Sequence, residues 1–250
     1  MFSVNLSRLI AALAFGSATF GAALVLSPAA EAETLVVRAS GPSAGTFAPG
    51  RKLPDGGSVT LKQGDVLTLL DGRGTRTLRG PGVFGTTASA SGSAPPSLAS
   101  FIGTRTTSRA RTGAVRGDTA VAAPRSPNLW YVDIRRETAT CIADPANIKL
   151  WRPSSTEALT LAIAGKDGKG SVTFEQGQSL APWPTDLPVA EGATYALSGA
   201  GLPKPVTLHF TVLPTGAEGL EGTASALIAR KCNAQLDLLV ETFALPDPAA

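Results

Sequence analysis

Glycine and proline recur so often along this chain that long helices are excluded over most of its length. The 250 residues include 27 glycines and 19 prolines. Between 58 and 84, Gly-Asp, Asp-Gly and Gly-Pro-Gly sequences separate short runs in which apolar and polar residues alternate. Turns of these types join short antiparallel strands. The pattern therefore predicts a small N-terminal antiparallel β unit over 33–84.

A second and larger set of strands is predicted after residue 128. Leu159, Leu161 and Ile163 alternate with small residues, and Val172 and Phe174 do the same after the glycine-rich turn 165–170. Strict alternation is typical of a half-buried strand, so this stretch predicts a hairpin. About seven such strands with turn residues between them are typical of a β-sandwich. The piece 128–250 is therefore expected to be a β-sandwich.

The sandwich strands are followed by one segment with a helical pattern. Between 219 and 243, apolar residues recur in steps of three and four, as on one face of a helix. These residues are Leu220, Ala224, Leu227, Ile228, Cys232, Leu236, Leu239, Val240 and Phe243. We expect this helical segment to be broken near Cys232 and to cover an open face or edge of the sandwich. The predicted fold class is mainly β, with a C-terminal helical segment.

The first 32 residues have the features of a cleavable secretory signal peptide. Arg8 is followed by an apolar run over 9–26 and then by the small-residue triplet Ala-Glu-Ala at 30–32, which fits the signal peptidase pattern. An uncleaved N-terminal anchor is the alternative, but the apolar run is short for a membrane span and contains small polar residues. We expect cleavage after Ala32 and a periplasmic or secreted mature chain without a transmembrane span.

Between the two predicted β units, the segment 85–127 has almost no large apolar side chains. Such a composition buries too little surface to offset its ordering entropy, so a linker or mobile loop is expected, with a single helical turn at 98–102. Its basic residues are candidates for contact with an anionic envelope surface, and a solvated linker is the alternative. They are Arg105, Arg109, Arg111, Arg116 and Arg125, against the single acidic residue Asp118.

The turn and core residues of 53–84, LPDGGSVTLKQGDVLTLLDGRGTRTLRGPGVF, resemble a known family. The matching positions are Leu61, Gly64, Asp65, Leu69, Gly72, Leu78, Gly80 and Pro81. With this spacing, 34–84 resembles the FecR-type periplasmic β domain, which implies a β domain located in the periplasm. Full members of that family also carry a cytoplasmic N-terminal segment and a transmembrane helix for sigma-factor control. This chain has a predicted signal peptide instead, so the resemblance extends to the periplasmic domain alone.

Two cysteines, Cys141 and Cys232, are present in the chain. In an oxidising compartment an even, small number of cysteines predicts a disulfide. Cys232 lies in the apolar stripe of the predicted helix and Cys141 in a predicted strand. Closing a loop of about 90 residues would stabilise the fold by up to about 4–5 kcal/mol in the chain-entropy model. Two buried free thiols are the alternative.

Residues with catalytic potential are few. His209 is the only histidine, and the strand pattern around it predicts a solvent-facing side chain. One histidine and a paired cysteine couple disfavour a zinc site. Ser43 stands in the G-x-S-x-G pattern of a nucleophile elbow, but 46–50 cannot begin the helix that this motif requires, so a polar turn is preferred. The segment 165–171 resembles a phosphate loop but joins two strands, which favours a hairpin turn.

The remaining binding candidates are two tryptophans. Trp151 and Trp183 are candidates for exposed rings that stack on sugars or on partner side chains, and packing of a ring into its own loop is the preferred alternative. The sequence favours a non-enzymatic exported envelope protein that acts as a protein-interaction or sensing module, with another envelope protein as its partner. The other hypotheses are a glycan- or peptidoglycan-binding module and, less favoured, an envelope hydrolase. We expect no cofactor, no metal and no nucleic-acid partner.

Overall fold

The structure, a computed structural model, describes residues 33–87, 97–103, 124–216 and 219–245. It is mainly β with several sheets and C-terminal helices, which confirms the predicted fold class. The predicted signal peptide lies outside the described residues, as do Arg105, Arg109, Arg111 and Arg116. Within the described ranges, no helix has the length and apolar character needed to cross a membrane.

The N-terminal residues form two small antiparallel sheets. The strands are β1 (Glu33–Ser40), β2 (Lys52–Pro54), β3 (Ser58–Leu61), β4 (Val66–Asp71), β5 (Gly74–Arg79) and β6 (Gly82–Gly85). One sheet has the order β2-β1-β4-β5, and β3 pairs with β6 in the other. Val36, Leu67 and Leu69 of the first sheet pack with Val59 and Leu61 of the second. Alternation of apolar residues between Gly-containing turns thus forms the predicted antiparallel unit.

The residues after 130 form the predicted sandwich. Its strands are β7 (Tyr131–Asp133), β8 (Ala139–Ile142), β9 (Lys149–Trp151), β10 (Leu159–Gly165), β11 (Gly168–Phe174), β12 (Leu180–Pro182), β13 (Thr194–Ser198) and β14 (Val206–Val212). A five-stranded sheet of order β11-β10-β13-β14-β8 and a three-stranded sheet of order β12-β9-β7 enclose an apolar core that includes Phe174, Tyr195 and Phe210. A two-residue turn between Gly165 and Gly168 joins β10 to β11, which confirms the predicted hairpin.

The described helices are α1 (Leu98–Ile102), α2 (Gly219–Ala229) and α3 (Asn233–Thr242). The break between α2 and α3 confirms the interruption predicted near Cys232. Lys231 has a φ of 57° there, the left-handed conformation that commonly follows the end of a helix. Helix α1 confirms the single turn predicted at 98–102, and its Phe101 packs edge-to-face on Phe243 with ring centroids 5.8 Å apart.

The C-terminal helices pack on the N-terminal sheet as well as on the sandwich. Leu35 and Leu70 share one apolar cluster with Leu227 and Leu239. The sequence pattern predicted contact with the sandwich alone, because periodicity identifies the buried face of a helix but not what covers it. The division of the chain into 33–84, a linker over 85–127, and 128–250 stays a prediction.

The end of α3 also joins the N-terminal sheet through β5. The backbone N–H of Thr75 donates to the carbonyl of Phe243 at 2.8 Å, and its carbonyl accepts from the N–H of Leu245 at 2.7 Å. The Thr75 hydroxyl donates to the carbonyl of Val240 at 2.6 Å. These bonds add a short parallel bridge between Thr75 and Ala244 at the edge of the sheet. They hold the end of α3 against the N-terminal sheet.

Candidate functional site: the cleft beside α3

Strand β8 forms one edge of the five-stranded sheet, and two residues hold it against α3. Cys141 of β8 forms a disulfide with Cys232, with Cα atoms 5.9 Å apart, so the predicted disulfide is present. Gln235 of α3 accepts a hydrogen bond from the Cys141 N–H at 2.6 Å. It donates to the carbonyls of Cys141 and Leu129, each at 2.9 Å. The side chain of Gln235 therefore bonds the backbone groups that a further strand would use.

Beside Gln235, the elements β7, β8 and α3 leave a cleft with a volume of about 140 Å³. Pockets that hold drug-sized molecules have volumes of roughly 300–1,000 Å³. The cleft is thus matched to one or two side chains rather than to a whole metabolite. We call its apolar lining residues, Leu129, Ala139, Ala234 and Leu238, the floor of the cleft. The uncharged polar residues in the lining include Ser126, Thr138, Thr140 and Gln235.

Charged side chains stand in ion pairs around this floor. The pairs are Arg125–Glu241, Arg136–Asp133 and Arg38–Asp237. Arg125 and Glu241 are each about half exposed, and exposed ion pairs contribute little net stability. A partner that offers its own charges can therefore exchange with such a pair at small free-energy cost. The Arg38–Asp237 pair also connects β1 of the N-terminal sheet to α3.

Tyr131, which lines the cleft, and Arg135, which bonds to the cleft residue Asp133, have raised pKa values. Burial raises the pKa of the Tyr131 hydroxyl above its ordinary value. Hydrogen bonds to Asp133 raise the pKa of the Arg135 guanidinium. Both shifts favour the protonated form, so each group keeps its proton at neutral pH. The Tyr131 hydroxyl can therefore donate a hydrogen bond and is not suited to act as a base.

The two tryptophans singled out in the sequence are buried, with exposures of 5% for Trp151 and 6% for Trp183. Trp183 Nε1 donates to the carbonyl of Leu187 at 2.8 Å. Its ring packs edge-to-face on Tyr195 and Phe210, with centroids 5.1 and 5.2 Å apart. The hypothesis of an exposed aromatic platform is wrong for both residues, because the Trp183 ring packs in the sandwich core and the Trp151 ring is covered by the Arg135 guanidinium, 5.4 Å from the ring centroid. Packing of a ring into its own loop is confirmed for Trp183.

Ser43, the candidate nucleophile, and His209 form hydrogen bonds with different residues. The N–H of buried Ser43 donates to Asp65 Oδ1 at 2.8 Å, and the Lys62 N–H donates to Asp65 Oδ2 at 2.6 Å. Hydrogen bonds from Ser43 lower the pKa of Asp65. His209 is exposed, and its Nδ1 lies 3.4 Å from Thr194 Oγ1. The polar-turn interpretation of Ser43 and the solvent-facing interpretation of His209 are confirmed.

The residues that carry the FecR resemblance have turn and core positions. Asp65 closes the turn before β4, as its bonds to Ser43 and Lys62 show. A Cβ at Gly80 would lie 2.1 Å from the Lys62 carbonyl oxygen, so only glycine fits there. Leu61, Leu69 and Leu78 belong to the N-terminal core. Many β domains need turn and core residues of these types at such positions.

Comparison of the chain with protein-family models, with curated proteins and with solved structures finds no match. Within the described ranges, no group of three or more His, Cys, Asp or Glu residues is placed to hold a metal ion. The site is therefore interpreted from its own geometry. The FecR resemblance, the lack of a cofactor and the lack of enzymatic activity stay predictions.

Sequence reasoning missed the cleft because its lining comes from two distant stretches, 125–140 and 234–241. Most of these residues look like ordinary surface residues in the sequence. The one usable signal is Gln235, a polar residue directly before Leu236 in the apolar stripe of the helix. It is only 8% exposed, and a buried polar side chain needs partners.

Proposed function

We propose that this chain is an exported envelope protein that acts as a protein-interaction module, and that the cleft beside α3 receives an anchoring side chain of the partner. The observation that carries the proposal is a cleft of about 140 Å³ whose lining combines the apolar floor with ion-paired side chains. Protein interfaces commonly combine one desolvated anchor pocket with a polar rim.

The cleft also presents backbone groups to a partner. The N–H of Leu213 donates to the carbonyl of Ile142 at 2.9 Å on the β14 side of β8. Backbone directions alternate along a strand, so those of Ala139 and Cys141 point away from β14. Gln235 bonds the groups of Cys141, whereas Ala139 lines the cleft. An extended partner segment can therefore pair with Ala139 while one side chain enters the cleft.

The chemistry of the partner follows from the floor and the rim. An aliphatic side chain suits the contact with Leu129 and Leu238. Charged residues next to it in the partner suit the exposed Arg125–Glu241 pair. We therefore expect an extended segment with one aliphatic anchor flanked by charged residues.

Two observations support the envelope as the compartment. The Cys141–Cys232 disulfide belongs to a bond type that persists in oxidising compartments. The resemblance of 34–84 to the FecR-type periplasmic domain agrees with this location. Export itself rests on the signal-like sequence of the first 32 residues.

Site-specific photo-cross-linking in cells tests the proposal. A photoreactive phenylalanine analogue replaces Arg136, an exposed ion-paired residue at the rim of the cleft, or Arg230, an exposed ion-paired residue that does not line it. We expect one discrete adduct with an envelope protein from position 136 and none from position 230. No adduct from position 136, or the same adduct from both positions, would contradict the proposal.

A further inference from the structure

The two edges of the five-stranded sheet differ in how they are covered. Strand β8 is closed by Gln235 and the disulfide, whereas β11 forms the opposite edge. Within the described residues, no strand pairs with the outer side of β11. The strand has seven residues, and its register with β10 runs without a bulge from Gly168 to Phe174. Proteins usually block such edges with bulges, prolines, covering segments or charged side chains, above all lysine. In β11 the one such residue is Lys169, near the start of the strand.

The backbone groups on this outer side can be identified from the hairpin. A two-residue turn places Gly168 opposite Gly165, and such turns are closed by a hydrogen-bonded pair. Backbone directions then alternate along the strand. The N–H and C=O groups of Lys169, Ser171 and Thr173 therefore point away from β10.

We propose that β11 pairs antiparallel with β11 of a second copy of this chain, on a two-fold axis at Ser171. Each of the three outward residues then forms two hydrogen bonds with one residue of the other copy, donating from its N–H and accepting at its C=O. Ser171 faces Ser171, and Lys169 faces Thr173. The two five-stranded sheets become one continuous ten-stranded sheet.

The side chains at this edge suit a second copy. Lys169, Ser171 and Thr173 are all exposed on the outer face, and Ser171 is small. The proposed register sets Lys169 opposite a neutral threonine, so no like charges stand directly opposite each other within the paired strands. An isologous pairing of this kind closes on itself and does not propagate into fibres.

The dimer has a consequence for the cleft. Strands β11 and β8 are the two ends of the same sheet, so pairing through β11 leaves the cleft beside each copy of β8 uncovered. The dimer then carries two clefts at its far ends, and a multivalent envelope partner gains avidity from both. Self-association does not depend on the cleft having a ligand, so the two proposals can fail separately.

Sedimentation equilibrium of the purified mature chain at low salt tests the pairing. Ser171→Lys and Ser171→Glu each place two like charges opposite each other on the axis. The control Ala162→Lys puts the same charge on the neighbouring strand, at the exposed position paired with Ser171. Melting temperatures show that each variant remains folded.

We expect a concentration-dependent dimer for the wild-type chain and for Ala162→Lys. Each Ser171 variant alone should raise the dimer dissociation constant about five-fold or more. An equimolar mixture of Ser171→Lys and Ser171→Glu should restore the dimer. A wild-type chain that stays monomeric, a Ser171→Lys chain that dimerises like wild type, or a mixture that stays monomeric would overturn the proposal.

Discussion

Gln235 closes the edge of the sandwich by bonding both backbone groups of Cys141, the residue whose side chain is already joined to Cys232. One helix thus holds one strand through a covalent bond and through a side-chain amide that replaces a neighbouring strand. The same helix forms one wall of the cleft. The stability of this junction and the shape of the cleft are therefore linked.

Gln235→Met keeps the approximate side-chain volume but removes the bonds to Cys141 and Leu129. Leaving these buried backbone groups without partners should lower the free energy of unfolding by roughly 2–3 kcal/mol. The control is Gln176→Met, because Gln176 is exposed and makes one surface bond to Thr156. Gln176→Met should change the free energy of unfolding by about 0.5 kcal/mol or less. Denaturant unfolding measures both variants, and equal losses would contradict the role given to Gln235.

Removal of the disulfide in Cys141→Ala/Cys232→Ala should lower the free energy of unfolding by roughly 3–4 kcal/mol. The bond joins residues 91 positions apart, so its loss frees a long loop in the unfolded chain. Unfolding of the wild-type chain with and without reductant provides an independent measurement. An unchanged unfolding midpoint in both experiments would show that the bond does not stabilise the fold.

Gly74→Ala should disrupt the junction between β5 and the end of α3. Gly74 has a φ of 143°, and a Cβ there would lie 2.4 Å from the carbonyl oxygen of Phe243. We expect Gly74→Ala to lower the free energy of unfolding by about 2 kcal/mol or more. In the control Gly72→Ala the new Cβ meets only Glu221, at 3.6 Å, so its melting temperature should stay close to wild type. Equal melting temperatures for the two variants would contradict the junction.

Asp65 should make the chain sensitive to acid. Hydrogen bonds from Ser43 lower its pKa in the folded state. The contribution of Asp65 to stability is therefore fully present above the pKa of this carboxyl in the unfolded chain, about 4. It is lost as the pH falls through the lower pKa of the folded state. Asp65→Asn should destabilise the chain at pH 7, and the difference from wild type should shrink below about pH 4. A difference that stays constant down to pH 2 would contradict this account.

The sequence predicts those features that depend on neighbouring residues. The turn at Gly64-Asp65, the hairpin at 165–168 and the helix break at Cys232 follow from local backbone preferences and periodicity. The disulfide follows from cysteine number and expected compartment. Contacts between distant segments are not encoded locally, so the packing of α2 and α3 on the N-terminal sheet and the cleft itself could not be predicted. Trp151 at the end of β9 and Trp183 in the loop after β12 show the same limit, because neither position reveals from the sequence whether the ring points inward.

Capture of the partner by variants of the cleft shows whether the cleft is where the partner binds. Ala234→Tyr fills the cleft from α3, and Ala229→Tyr adds the same side chain at an exposed position outside it. Each immobilised chain is incubated with the envelope protein identified by cross-linking, and the bound fraction is measured. We expect Ala229→Tyr to bind like wild type and Ala234→Tyr to lose at least about ten-fold in affinity, as for a blocked anchor pocket. Equal binding by Ala234→Tyr and wild type would contradict it.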